Sequence, residues 1–134
     1  VAIKTAQLSE FVDSLEDGLD TKVSQGGTNF SGGQRQRLAI ARAIIRKPSV
    51  YVFDDSFSAL DFKTDAMLRR ALKQETGNAA VLIVAQRVST IKDAEQIVVL
   101  EEGNVVGNGT HTELMADCPA YQQIARSQMK EALQ

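Results

Sequence analysis

The sequence predicts an α/β protein, with a mainly parallel sheet flanked by helices and a helical segment at its N-terminal end. Two uninterrupted apolar runs, Val50–Phe53 and Ala79–Ala85, are bounded by turn residues and suit strands buried on both faces. Residues 63–74 between them carry helical spacing, giving strand, helix, strand. Buried strands alternating with helices argue for parallel pairing with helical crossovers.

The elements follow in order. Ala2, Ile3, Ala6, Leu8, Phe11, Val12 and Leu15 recur at steps of three and four, which predicts one amphipathic helix over residues 2–15, ended by Gly18 and Asp20. Residues 21–30 are polar and glycine-bearing and read as a loop. Ser31 suits an N-cap for a helix to about Arg46, and Pro48 removes Lys47 from it. Ser56 to Asp61 is a loop after the first strand, and Gly77-Asn78 is a turn before the second. Ile97–Leu100 and Val105-Val106, joined through Glu101-Glu102-Gly103-Asn104, read as a hairpin. Thr110 with Glu113 forms a capping box, and Pro119 sits at the first position of a final helix expected to reach the C-terminus.

The 134 residues suffice for one modest domain. With 43% apolar and 24% charged residues the chain is ordinary for a soluble globular protein. A net charge of −2 supplies no global basic field for nucleic acid or acidic lipid, so no nucleic-acid partner is expected. The single cysteine, Cys118, excludes an internal disulfide. No run approaches the ~18 apolar residues of a membrane helix. The chain opens mid-pattern at Val1-Ala2-Ile3, as if cut from something longer.

Two segments carry chemistry. In Ser31-Gly32-Gly33-Gln34 the glycines let backbone approach an anion, and the following helix presents unsatisfied amides and a positive dipole end. Ser31 and Gln34 add side-chain donors, and Arg35 and Arg37 add positive charge. The competing use is a plain helix start capped by Ser31, against which Gly33 weighs because it lowers helix propensity. Asp54 and Asp55 end the first apolar run, and carboxylates there sit where parallel α/β sheets bind ligands and where magnesium finds oxygen. Their competing use is to cap the next element.

Asn29–Arg46, Pro48 and Val50–Asp61 together resemble the ATP-binding cassette (ABC) ATPases, most closely the exporter type. Thr21–Thr28, Gln86–Ile91 and Gly107–His111 extend the resemblance over nearly the whole chain. It implies a partial P-loop NTPase-like domain. Residues 1–47 would be a helical-subdomain segment with the signature helix, and 48–134 part of the α/β core with C-terminal helices. It further implies ATP and Mg2+ as cofactors and ATP hydrolysis in a longer parent. Ser31, Gly32, Gly33 and Gln34 match the signature motif, which acts in trans on a partner's ATP, with Phe30 replacing the usual leucine. Asp54 matches the Walker B aspartate that holds magnesium through water. Ser58, Ala59, Leu60 and Asp61 match the D-loop that crosses the dimer interface. Thr21–Thr28 matches the segment that faces the transmembrane domain. The implied place is the cytoplasmic face of a membrane (the inner membrane in a bacterium).

The departures are informative. Asp55 stands where the family usually has a glutamate that polarises the attacking water, and it is one methylene shorter. Gln86 stands where a histidine usually touches the γ-phosphate; it donates an amide hydrogen bond but cannot relay a proton. Both resemble the degenerate subunit of a heterodimeric exporter, which implies a second nucleotide-binding domain as partner. No Gly-x-x-x-x-Gly-Lys-Ser/Thr segment occurs in the chain, so the isolated fragment is expected to bind ATP weakly and to be inactive, and its sheet to expose apolar surface. A non-transport ABC ATPase and a regulatory, hydrolysis-deficient module are the alternatives; Thr21–Thr28 and the tail Gly103–Leu114 favour an exporter. His111, Cys118, Tyr51 and Phe53 read as structural.

Overall fold

The structure is a computed structural model that describes residues 1–131. It divides into two compact units, Val1–Val84 and the remainder from Ala85. Residues 48–84 share one core with the N-terminal helices.

The first unit opens with two short helices, α1 (Ala2–Thr5) and α2 (Ser9–Asp13), in place of the single helix expected over 2–15. The break lies at Gln7, which takes φ 58°, a left-handed conformation. Tertiary contacts hold it there: Ala6 and Leu8 on either side are fully buried, and the Arg37 guanidinium donates to the Gln7 carbonyl. Residues 21–30 are irregular, with a short 3-10 turn at Gln25–Gly27. Asn29 ties this segment together, its Oδ1 accepting from Ser24 Oγ at 2.8 Å and its Nδ2 donating to the Lys22 carbonyl at 3.1 Å.

α3 (Gly32–Ile45) follows, and Lys47, with φ 46°, leaves the helix before Pro48 as expected. β1 (Val50–Asp54) pairs in parallel with β2 (Ala80–Val84), Val50 opposite Ala80 and Asp54 opposite Val84. α4 (Phe62–Thr76) makes the crossover between them and closes at Gly77, with φ 53°. Ile40 and Ile44 of α3, Tyr51 and Phe53 of β1, Leu68 and Leu72 of α4, and Leu8 form the core.

One expectation is corrected here. β1 is buried on one face only and β2 on neither: Val50, Val52, Leu82 and Val84 on the open face are 57%, 62%, 57% and 52% exposed, and Val81 on the other face is 44% exposed. Helices cover these strands on one side only, so the apolar run is real but its second face is open.

In the second unit α5 (Val88–Ile91), which the sequence did not signal, precedes an antiparallel hairpin of β3 (Ile97–Glu101) and β4 (Asn104–Gly109). Glu102 and Gly103 turn it with φ 48° and 79°, the positive pair that a two-residue hairpin loop favours. The described residues thus hold two two-stranded sheets, one parallel and one antiparallel, rather than a mainly parallel one. α6 (His111–Asp117) starts at the Thr110–Glu113 capping box, and α7 (Pro119–Glu131) starts at Pro119, both as expected. Residues 132–134, where that last helix was expected to continue, lie outside the described residues. Ile97, Val99, Leu114, Cys118 and Tyr121 form the second core. His111 is structural: its Nδ1 lies 2.8 Å from the Tyr121 hydroxyl, whose pKa is raised by burial.

Candidate nucleotide site

The Ser31–Gln34 turn is built as a reciprocal cap. The Ser31 amide donates to Gln34 Oε1 at 2.8 Å, and the Gln34 amide donates to Ser31 Oγ at 3.2 Å. Such a cap is worth about 1 kcal/mol to a helix. It uses Gln34's carbonyl and leaves its NH2 and the Ser31 hydroxyl proton as donors. The Gly32 and Gly33 amides, first in α3, have no intrahelical acceptor. Ser31 is exposed and Gly32, Gly33 and Gln34 are half-buried. The turn therefore satisfies itself as a helix cap while still presenting the donor set an anion requires, so the two readings of the motif coexist.

The glycine at position 33 has a packing reason. A Cβ there would stand 3.1 Å from the Ala59 carbonyl oxygen and 3.4 Å from a Leu60 methyl group. The loop Asp55–Leu60 lies directly on the start of α3, so two of the expected elements are in contact.

Gln36, which sequence reasoning passed over, holds that loop. Its Nε2 donates to the Asp55 carbonyl and to Ser58 Oγ, both at 3.0 Å, and its Oε1 accepts from the Ala59 amide at 3.0 Å. No local pattern signals this role, because its partners lie 19 to 23 residues away.

Arg35 and Arg37 are tied into the fold. Arg35 Nη1 donates to the Phe30 carbonyl at 2.8 Å and the Gly27 carbonyl at 3.3 Å. Arg37 bonds the carbonyls of Gly33 and Gln7. Gly27 has φ 66°, and a Cβ there would meet Arg35 Cδ at 2.9 Å, so Arg35 crosses the backbone where only glycine fits. Phe30 is buried edge-on to Phe11, with ring centroids 5.4 Å apart, and is the apolar anchor its position implied.

Asp54 and Asp55 differ in setting although both are exposed. Asp54 is the last residue of β1. Asp55 takes φ 49°, a conformation Asp tolerates better than most residues, and its amide still donates to the Val84 carbonyl at 3.2 Å. Ser58 Oγ stands 3.1 Å from both the Asp55 carbonyl oxygen and Oδ2, so the carboxylate is turned toward its own loop.

Among the described residues no three His, Cys, Asp or Glu side chains form a metal cage. A lone exposed carboxylate at a strand end fits a magnesium ion held mainly by water and phosphate oxygens, and Asp54 meets that description.

Of the expected D-loop residues, Ser58 and Ala59 are exposed, whereas Leu60 is 5% exposed and belongs to the first core. Asp61 caps α4: its carboxylate accepts from the Thr64 amide at 2.9 Å and hydroxyl at 2.7 Å, which holds its pKa below the usual carboxylate range. Gln86 belongs to the second unit, where its side chain is exposed. Lys22–Gly26 and Thr28 are exposed in the loop before the signature turn.

The family model described as ABC transporter matches residues 3–58, which span the capped turn and the Asp54-Asp55 strand end. The chain is homologous to ABC transporter ATP-binding domains. An uncharacterized ABC transporter ATP-binding protein of Mycobacterium tuberculosis is 53% identical over 131 residues, 98% of this chain and 22% of the relative. An ATP-dependent lipid A-core flippase of Aliivibrio fischeri is 43% identical over 95% of the chain and 22% of its own length. The structure of a bacterial Atm1-family ABC exporter with ATP bound superposes with a TM-score of 0.91 at 33% identity, over 96% of this chain and 23% of that one. The chain thus spans about a fifth of the relatives it matches. Among its described residues no helix is long and apolar enough to cross a membrane.

Proposed function

We propose that residues 1–134 are the signature-bearing part of one ATP-binding, ATP-hydrolysing domain of an ABC exporter, coupling ATP use to export through a membrane domain. The observation that carries this is the capped start of α3, with Gly32 and Gly33 seated on the Asp55–Leu60 loop. Ser31, Gly32, Gly33 and Gln34 would hold the phosphates of an ATP bound by a second nucleotide-binding domain. Asp54 would hold Mg2+ through water beside this subunit's own nucleotide. The cation would neutralise phosphate charge; the chain's own part is to orient groups around it. Ser58, Ala59 and Asp61 would lie at the interface with that second domain. The loop Thr21–Thr28, exposed at Lys22–Gly26 and Thr28 and stapled by Asn29, would meet the exporter's transmembrane domain, and the domain would then lie on the cytoplasmic face of the membrane.

The partner on this reading is a different subunit. Asp55, short and turned toward Ser58, and Gln86, unable to relay a proton, would make this subunit's own site weak while its signature serves a competent one. In the full-length parent Asp55→Glu should raise ATP turnover. Unchanged turnover counts against the assignment of Asp55, and a purified homodimer with brisk ATPase activity overturns the paired-subunit reading.

A further inference from the structure

Gln128, on α7, grips the backbone around Arg87. Its Nε2 donates to the Gln86 carbonyl at 2.6 Å, and its Oε1 accepts from the Val88 amide at 2.8 Å. One primary amide thus satisfies the acceptor before Arg87 and the donor after it, as a neighbouring strand would. The need for it is local. Val88 opens the four-residue helix α5, and the preceding Arg87 supplies no side-chain cap, so the Val88 amide has no acceptor within its own helix. Gln128 supplies that acceptor from 40 residues away.

The arm is well anchored. Gln128 lies seven residues after Tyr121 and three after Ala125, on the face of α7 that both bury at 2% exposure. The side chain is half-buried, which limits the competition of water for its two bonds.

We propose that Gln128 is a positioning residue for Gln86. It fixes the peptide from Gln86 to Val88 and so sets where the exposed Gln86 side chain starts. The C-terminal helix thereby acts on ATP hydrolysis without touching nucleotide. The link to hydrolysis rests on the function proposed above for Gln86; the clamp itself does not.

The test uses the full-length parent with Gln128→Ala and Gln128→Glu. Alanine removes both bonds, and glutamate keeps the acceptor for Val88 while losing the donor to Gln86. Amide exchange at Val88 should quicken about tenfold in Gln128→Ala and stay near wild type in Gln128→Glu, a pattern that general loosening of α7 would not produce. ATP turnover at this subunit's own site, read in a parent whose partner site is inactivated, should fall about tenfold in Gln128→Ala, with KM for ATP changed less than about twofold. In a Gln86→Ala background the same change should add less than about twofold, because the clamp acts through Gln86. Unchanged Val88 exchange, or a full tenfold loss persisting without the Gln86 side chain, overturns the proposal. A parent that hydrolyses no ATP defeats the earlier functional reading, and Val88 exchange then decides this one alone.

Discussion

Replacing Gln36 with leucine should loosen the loop that carries Asp55, Ser58 and Ala59 while leaving its helix intact. Leucine matches glutamine closely in size and is as good a helix former, so α3 keeps its packing and propensity. What disappears is three hydrogen bonds of 3.0 Å each, to the Asp55 carbonyl, Ser58 Oγ and the Ala59 amide. A typical bond contributes about 0.5–1.5 kcal/mol net, and the loop is exposed enough for water to replace its partners, so the low end applies. Three such bonds come to roughly 1.5 kcal/mol, about a tenfold change in a local opening equilibrium. Amide exchange at Ala59 in the full-length parent reads this directly and should quicken about tenfold, with exchange along Leu38–Ile44 unchanged. ATP turnover should fall with it. If Ala59 exchanges at the wild-type rate in a folded Gln36→Leu variant, the side chain does not hold the loop and the reasoning fails.

Two further outcomes follow. The 134-residue chain alone should bind ATP with less than micromolar-grade affinity, since it contains no phosphate-binding loop; calorimetry on the isolated chain checks this. Hydrogen bonds from the Thr110 amide and hydroxyl lower the pKa of Glu113, so its contribution to α6 is present above the ordinary carboxylate range and lost as pH falls through the folded value. Thermal midpoints taken from neutral to acid pH should therefore fall, and Glu113→Gln, which cannot titrate, should flatten that acid limb.

What was legible in the sequence was mostly local. Ser31 with Gln34 and Thr110 with Glu113 are reciprocal caps whose partners sit three residues apart, so their chemistry is written in adjacent letters. Pro119 at a helix start and the turn at Gly103 are of the same kind. The site's backbone elements were legible for that reason. The long-range parts were not. Gln7 breaks a helical pattern because Arg37, 30 residues on, bonds its carbonyl while Ala6 and Leu8 are buried. Gln36 and Gln128 look like surface glutamines on amphipathic helices, and only the folded chain brings each to the backbone it binds. Arg35 and Arg37 show the converse, since charges next to the capped Ser31–Gln34 turn are drawn to carbonyls of their own chain. Periodicity placed the two parallel strands but could not report that one of their faces stays open.

The central claim is that the start of α3 binds a nucleotide's phosphates, and Gly32→Asp tests it most directly. A Cβ at Gly32 meets only the Ala59 methyl group, at 3.6 Å, an ordinary contact, so the fold has room for a side chain there. A carboxylate at that position would face the phosphates across the first amides of the helix and repel them. ATP turnover by the purified full-length parent, with its partner subunit, should be Mg2+-dependent and should be abolished by Gly32→Asp in a variant that assembles normally. Wild-type turnover in that variant would contradict the account.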